Sequence, residues 1–79
     1  MKIEILGMGC QKCRILYENT LSAVKELGVD AEVVKVEDLS KVIEYAVMIT
    51  PALVINGTVR SMGKVLDKEE IISLIKGFK

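Results

Sequence analysis

The sequence predicts an α/β fold, a mixed four-stranded sheet with helices on both faces, in the order strand, helix, strand, helix, strand, strand, helix. Three observations carry this. Short β-favouring runs alternate with segments whose apolar residues recur every three to four positions, the respective periods of strand and helix. Asn56-Gly57 joins two of the short runs, and that pair is a strong hairpin signal because a type I′ turn needs positive φ at both positions. The 79 residues, 51% of them apolar with a single proline, suit one folded domain spanning residues 1–79 and argue against disorder.

Each element has its own justification. Lys2 to Leu6 is short and β-favouring, and Gly7-Met8-Gly9 follows it as a glycine-containing loop. From Gln11 to Leu27 the apolar stripe runs through Leu16, Thr20/Leu21, Val24 and Leu27, and Gly28 stands where a helix-ending glycine belongs. Ala31 to Val36 is a second strand. Asp38 then suits an N-cap for a helix reaching Met48, with Leu39, Val42, Ile43, Ala46 and Val47 on one stripe. After Thr50-Pro51 come strands Ala52 to Ile55 and Thr58 to Ser61. Asp67 caps the last helix, with Glu70 completing a capping-box pair and Leu66 and Ile71 in staple positions; Ile71, Leu74, Ile75 and Phe78 form its buried stripe. The first strand–helix–strand unit implies a parallel pair, to which the hairpin adds an antiparallel edge.

Composition excludes several functions. Lys plus Arg and Asp plus Glu number 11 each, so the net charge is zero and nothing favours nucleic acid or an anionic membrane. No apolar stretch approaches the roughly 20 residues that span a bilayer. Met1-Lys2-Ile3-Glu4 places an acid where a signal peptide would begin its apolar region. A soluble, cytoplasmic, monomeric domain is expected.

The chemistry lies in Cys10-Gln11-Lys12-Cys13, which holds both cysteines of the chain. Thiols three positions apart can close a disulfide or share a soft metal ion. A structural disulfide over so short a loop would restrain the unfolded chain very little, and in a reducing compartment such a pair is more often catalytic or metal-binding. The pair falls at the expected start of the first helix, where the dipole favours thiolate. Cys10 is therefore expected to attack and Cys13, further in, to resolve the mixed disulfide. Histidine is absent, which rules out a Cys–His dyad and a Cys/His zinc site built by one chain. Two sulfurs can still hold Cu(I).

Two separated motifs, Cys10-Gln11-Lys12-Cys13 after strand one and Thr50-Pro51 before Ala52-Leu53-Val54-Ile55-Asn56-Gly57, resemble the thioredoxin-like superfamily. The likeness is to its small redox-active disulfide proteins of archaea and bacteria, and it covers essentially the whole chain. It implies the compact thioredoxin-like βαβαββα fold and a thiol–disulfide oxidoreductase that cycles a Cys10–Cys13 disulfide. It also implies a cis Pro51 lying against that disulfide, and a Thr50 whose backbone holds the substrate peptide. Glu4, six residues before Cys10, matches a buried acid that assists the resolving thiol, and Lys35 matches the lysine beside that acid. The expectation is a proton-handling Glu4–Lys35 pair beneath Cys13. Partners would be a disulfide-containing protein and an upstream reductase or low-molecular-weight thiol; no cofactor or metal is required.

Departures from the pattern matter. Gly9 precedes Cys10, and Gln11-Lys12 lies between the cysteines where thioredoxins have Gly-Pro, so a thioredoxin-like potential near about −270 mV is not implied. The chain is also similar, more weakly, to glutaredoxins, but Met62-Gly63-Lys64-Val65 stands in place of their Gly-Gly-x-Asp, and the likeness does not extend to glutathione binding. A rival is the Met-x-Cys-x-x-Cys loop of heavy-metal-associated copper chaperones, which Met8-Gly9-Cys10-Gln11-Lys12-Cys13 resembles. That fold requires a strand where 38–48 reads as helix, and it ends on a strand.

Overall fold

The computed structural model describes residues 1–7 and 11–77. The elements are β1 (Lys2–Leu6), α1 (Gln11–Leu27), β2 (Glu32–Val36), α2 (Leu39–Glu44), β3 (Ala52–Ile55), β4 (Thr58–Met62) and α3 (Lys68–Lys76). This is the expected order. The readings placed on Met8, Cys10 and Phe78 lie outside the described residues.

The sheet order is β2-β1-β3-β4. β1 pairs parallel with β2, and β3 runs antiparallel to both β1 and β4. Strands β1 and β3 are central and both faces of each are covered, so β3 is buried throughout and β1 from Ile3 onward, as expected when helices lie on both sides. One face carries Ile3, Ile5, Leu53 and Ile55 against Leu16 and Ala23 of α1 and Ile71, Ile72 and Ile75 of α3. The other carries Leu6, Ala52 and Val54 against Val42 and Val47.

Local chemistry sets the ends of the elements. Asn56 and Gly57 both have positive φ, 49° and 82°, as the hairpin turn demands. Asn56 also ties the turn to the start of β1: its Oδ1 accepts from the Lys2 N–H and its own N–H donates to the Lys2 carbonyl, both at 2.8 Å. The Asp67 carboxylate accepts from the Glu70 N–H at 2.8 Å while Glu70 Oε1 accepts from the Asp67 N–H at 3.2 Å, a complete capping box. Gly28 takes φ 65° beyond α1.

Two expectations need correction. On α1 the buried residues are Cys13, Leu16, Thr20 and Ala23, whereas Leu21 is 41% exposed; Thr20 is accommodated because its hydroxyl donates to the Leu16 carbonyl at 2.8 Å. The second helix stops at Glu44 rather than reaching Met48. Ala46 adopts φ 57°, its N–H donates to the Ile43 carbonyl at 2.9 Å, and the Val47 N–H donates to the Val42 carbonyl at 3.2 Å. This is a Schellman ending with alanine at the position usually held by glycine. Leu39 and Ile43 consequently face solvent, at 59% and 67% exposure, and only Val42 of the helix is buried.

Candidate functional site

Cys13 is the third residue of α1 and is 5% exposed. It comes to the end of β1 from the α1 side of the sheet, at Gly7. The Gly7 N–H donates to the Val36 carbonyl at 3.0 Å, extending the parallel ladder one residue beyond β1. A Cβ built on Gly7 would collide with Cys13 Sγ and lie 3.2 Å from Cys13 Cβ and 4.0 Å from Pro51 Cα. A Cβ on Gly7 would thus enter the space that the Cys13 sulfur fills and the Pro51 backbone borders, and any larger residue would push the sulfur away. Gly7 was legible only as a loop glycine; a glycine at a strand end that marks close approach of another group is the signal that could have found it.

The Thr50–Pro51 peptide bond is cis. Pro51 is buried and Thr50 half-buried. The Pro51 carbonyl accepts from the Gly63 N–H at 2.8 Å. Gly63, at φ 75°, lies under Ile49, whose Cγ2 would be 2.8 Å from an added Cβ. Apolar side chains rim the proline: Met48 is 88% exposed, Ile49 59% and Met62 42%. Neither this rim nor the turn at Gly63 was singled out in the sequence, because single exposed apolar residues carry no periodic signal.

The structure does not bring Glu4 and Lys35 together. Glu4 is registered with Val34 and Lys35 with Ile5, and alternation along the strands sends the two side chains to opposite faces. Lys35 places its Nζ 5.0 Å from the Tyr17 ring centroid, a cation–π contact. Glu4 is buried on the α2 face, where Tyr45 donates its hydroxyl to Glu4 Oε1 at 2.8 Å. The partner of the acid is thus a tyrosine, which the sequence reading missed. The Tyr45 phenol is held above its ordinary value, first by the hydrogen bond to Glu4, then by burial, then by the negative charges of Glu4 and Glu44.

This site brings a buried helix-start thiol and a cis-proline loop together at one glycine, the arrangement of a thiol–disulfide oxidoreductase. The heavy-metal-associated alternative fails on element order, since α2 stands where that fold needs a strand and, among the described residues, α3 is the last element. A sequence model described as "Thioredoxin domain" matches residues 1–76. A protein named thioredoxin from Methanothermobacter thermautotrophicus is 41% identical over 75 residues, covering 95% of this chain and 97% of the relative. A thioredoxin from Methanocaldococcus jannaschii is 42% identical over 76 residues, covering 96% of this chain and 87% of the relative. A probable thioredoxin from Methanothermobacter marburgensis is 37% identical over 67 residues, 80% and 79% of the two chains. The chain belongs to the thioredoxin family, and its activity is thiol–disulfide exchange. Among the described residues no helix is long and apolar enough to cross a membrane.

Proposed function

We propose that this domain, acting as a cytoplasmic monomer, reduces protein disulfides through Cys10 and Cys13. The Cys10 thiolate attacks one sulfur of a substrate disulfide; a Cys10–substrate disulfide forms, the substrate S–S bond breaks, and one substrate thiolate leaves. Cys13 then attacks the Cys10 sulfur, forming the Cys10–Cys13 disulfide and releasing the second substrate thiolate. The substrate gains two electrons and the protein loses two. A dithiol reductase or a low-molecular-weight thiol returns them.

Thr50 and Pro51 hold the substrate chain beside the sulfurs. Proline has no N–H to compete for the incoming strand, and Met48, Ile49 and Met62 offer it apolar contact. Glu4 takes the Cys13 proton, relayed by water around the end of β1, because carboxylate and sulfur approach the strand from opposite sides.

The observation that carries this reading is the packing of Cys13 Sγ on Gly7, in a space that the Pro51 backbone also borders. Its test is Cys13→Ser, incubated with a disulfide-bonded protein. A stable mixed disulfide on Cys10, identified by mass spectrometry and absent from the Cys10→Ser variant, is expected. Adducts that form equally without Cys10, or a wild-type protein that binds Cu(I) tightly and catalyses no disulfide reduction, would overturn it.

A further inference from the structure

Residues 46–50 form the exposed approach to the cis-proline, and their two ends are held differently. At the far end Pro51 is buried and its carbonyl is tied to Gly63. At the near end the Schellman turn returns the Ala46 and Val47 N–H groups to α2, and Val47 is 8% exposed against the sheet. These contacts hold the segment to α2. α2 itself is only six residues long, with one buried side chain, Val42, so its own burial gives it little purchase on the sheet. The Tyr45 hydroxyl supplies a directional tie, reaching across to Glu4 of the central strand β1 at 2.8 Å.

We propose that the Tyr45–Glu4 hydrogen bond is a latch that sets the position of the loop Met48-Ile49-Thr50 over the cis-proline, making Tyr45 a positioning residue for disulfide substrates. The inference rests on the reading that this loop receives the substrate. A charge-assisted bond to a buried carboxylate is among the stronger ones available to a tyrosine. Its tyrosine end lies at the hinge between α2 and the loop, and the register partners of Glu4 are uncharged, Val34 on β2 and Val54 on β3. The charged group next to it on α2 is Glu44, which is exposed and paired with Lys41 at 3.6 Å. A loose latch would let the loop shift, weakening the docking of a chain that must lie along it, while leaving the sulfurs intact.

The experiment compares Tyr45→Phe, Glu4→Gln and Ile49→Ser on two substrates, a peptide disulfide long enough to cross the loop and a small aromatic disulfide that is not. Tyr45→Phe should raise KM for the peptide by about tenfold, as expected for losing about 1.4 kcal/mol of positioning. Any effect on kcat, through the freed Glu4 carboxylate, should be common to both substrates, and KM for the small disulfide should be unchanged. Glu4→Gln retains an oxygen acceptor but loses the charge assistance, so it should raise KM for the peptide by less than Tyr45→Phe does, whatever it does to the pH profile of exchange. Ile49→Ser should raise KM as Tyr45→Phe does. A peptide KM unmoved by Tyr45→Phe while Ile49→Ser raises it would overturn the latch alone. If Ile49→Ser is silent, the substrate-loop reading falls and the latch with it. An equal rise in KM for both substrates, with a lowered melting temperature in Tyr45→Phe, would reduce Tyr45 to a structural role and also overturn the proposal.

Discussion

Cys13 packs its sulfur onto the bare Cα of Gly7, so closely that no Cβ fits between them. The contact ties the first turn of α1 to the end of β1, in a space that the Pro51 backbone also borders. Gly7→Ala should therefore displace the Cys13 side chain, since the neighbouring atoms are the short Cys13 side chain and the Pro51 backbone, with no long flexible group to yield. Overpacking of this kind costs about 1–3 kcal/mol. Urea denaturation of the reduced protein should show that loss, and the dithiol midpoint potential should move with it. A fully stable Gly7→Ala variant with an unchanged potential would contradict the packing.

Ala46 is the opposite case, a site where the native residue is the poorer one. It holds the left-handed conformation that ends α2, at φ 57°, and left-handed backbone costs an L-residue roughly 1–2 kcal/mol. Glycine relieves that cost but loses more entropy on folding. Ala46→Gly should thus stabilise the protein by up to about 1 kcal/mol, read as a raised denaturation midpoint with an unchanged slope. A lowered midpoint would mean that the Schellman turn does not form in solution.

That same alanine explains what the sequence could and could not reveal. Strong local chemistry was legible wherever one residue type answers one geometric need: Asn56-Gly57 for the hairpin, Asp67 with Glu70 for the last helix, Gly28 for the end of α1. The stop at Glu44 was not, because Ala46 is a good helix former and continues the apolar stripe; only the packing of Val47 against the sheet rather than the helix overrides it. Cys13, Thr50 and Pro51 were legible as motif residues. Glu4 was found but given the wrong neighbour, since strand register, which decides the face of Lys35, is set by tertiary pairing between Ile5 and Lys35. Gly7 carries no side chain to announce its contact, and Tyr45 sits 41 residues from its acceptor.

The capping box gives a third expectation. Asp67→Ala removes the acceptor for the Glu70 N–H and frees Glu70 from its return bond, and the loss of an N-cap costs about 1 kcal/mol. The neighbouring Lys68–Glu26 ion pair, at 2.8 Å, joins side chains 41% and 51% exposed, and solvent screens it. Thermal melts should rank Asp67→Ala well below Lys68→Ala, and the Lys68 effect should fade in high salt while the Asp67 effect persists. A reversed ranking would mean that the ion pair, rather than the cap, anchors the start of α3.

The phenol of Tyr45 offers a readout of the Glu4 contact that needs no substrate. Its pKa stands above the ordinary 10.0 because the hydroxyl donates to Glu4, is partly withdrawn from water and faces the charges of Glu4 and Glu44. The sign follows from which form the fold prefers. The folded protein holds the phenol proton more tightly than the unfolded chain, so this contribution to stability is whole below pH 10.0 and is lost as pH rises through the raised folded value. The chain has two tyrosines, so Tyr17→Phe leaves Tyr45 as the sole phenol, and its phenolate absorbance can be followed directly. The midpoint should lie above 10.0 in that background. Adding Glu4→Gln should bring it down, because an amide can still accept the bond but no longer repels the phenolate. A midpoint at the ordinary phenol value with Glu4 intact would show that the two side chains do not meet in solution.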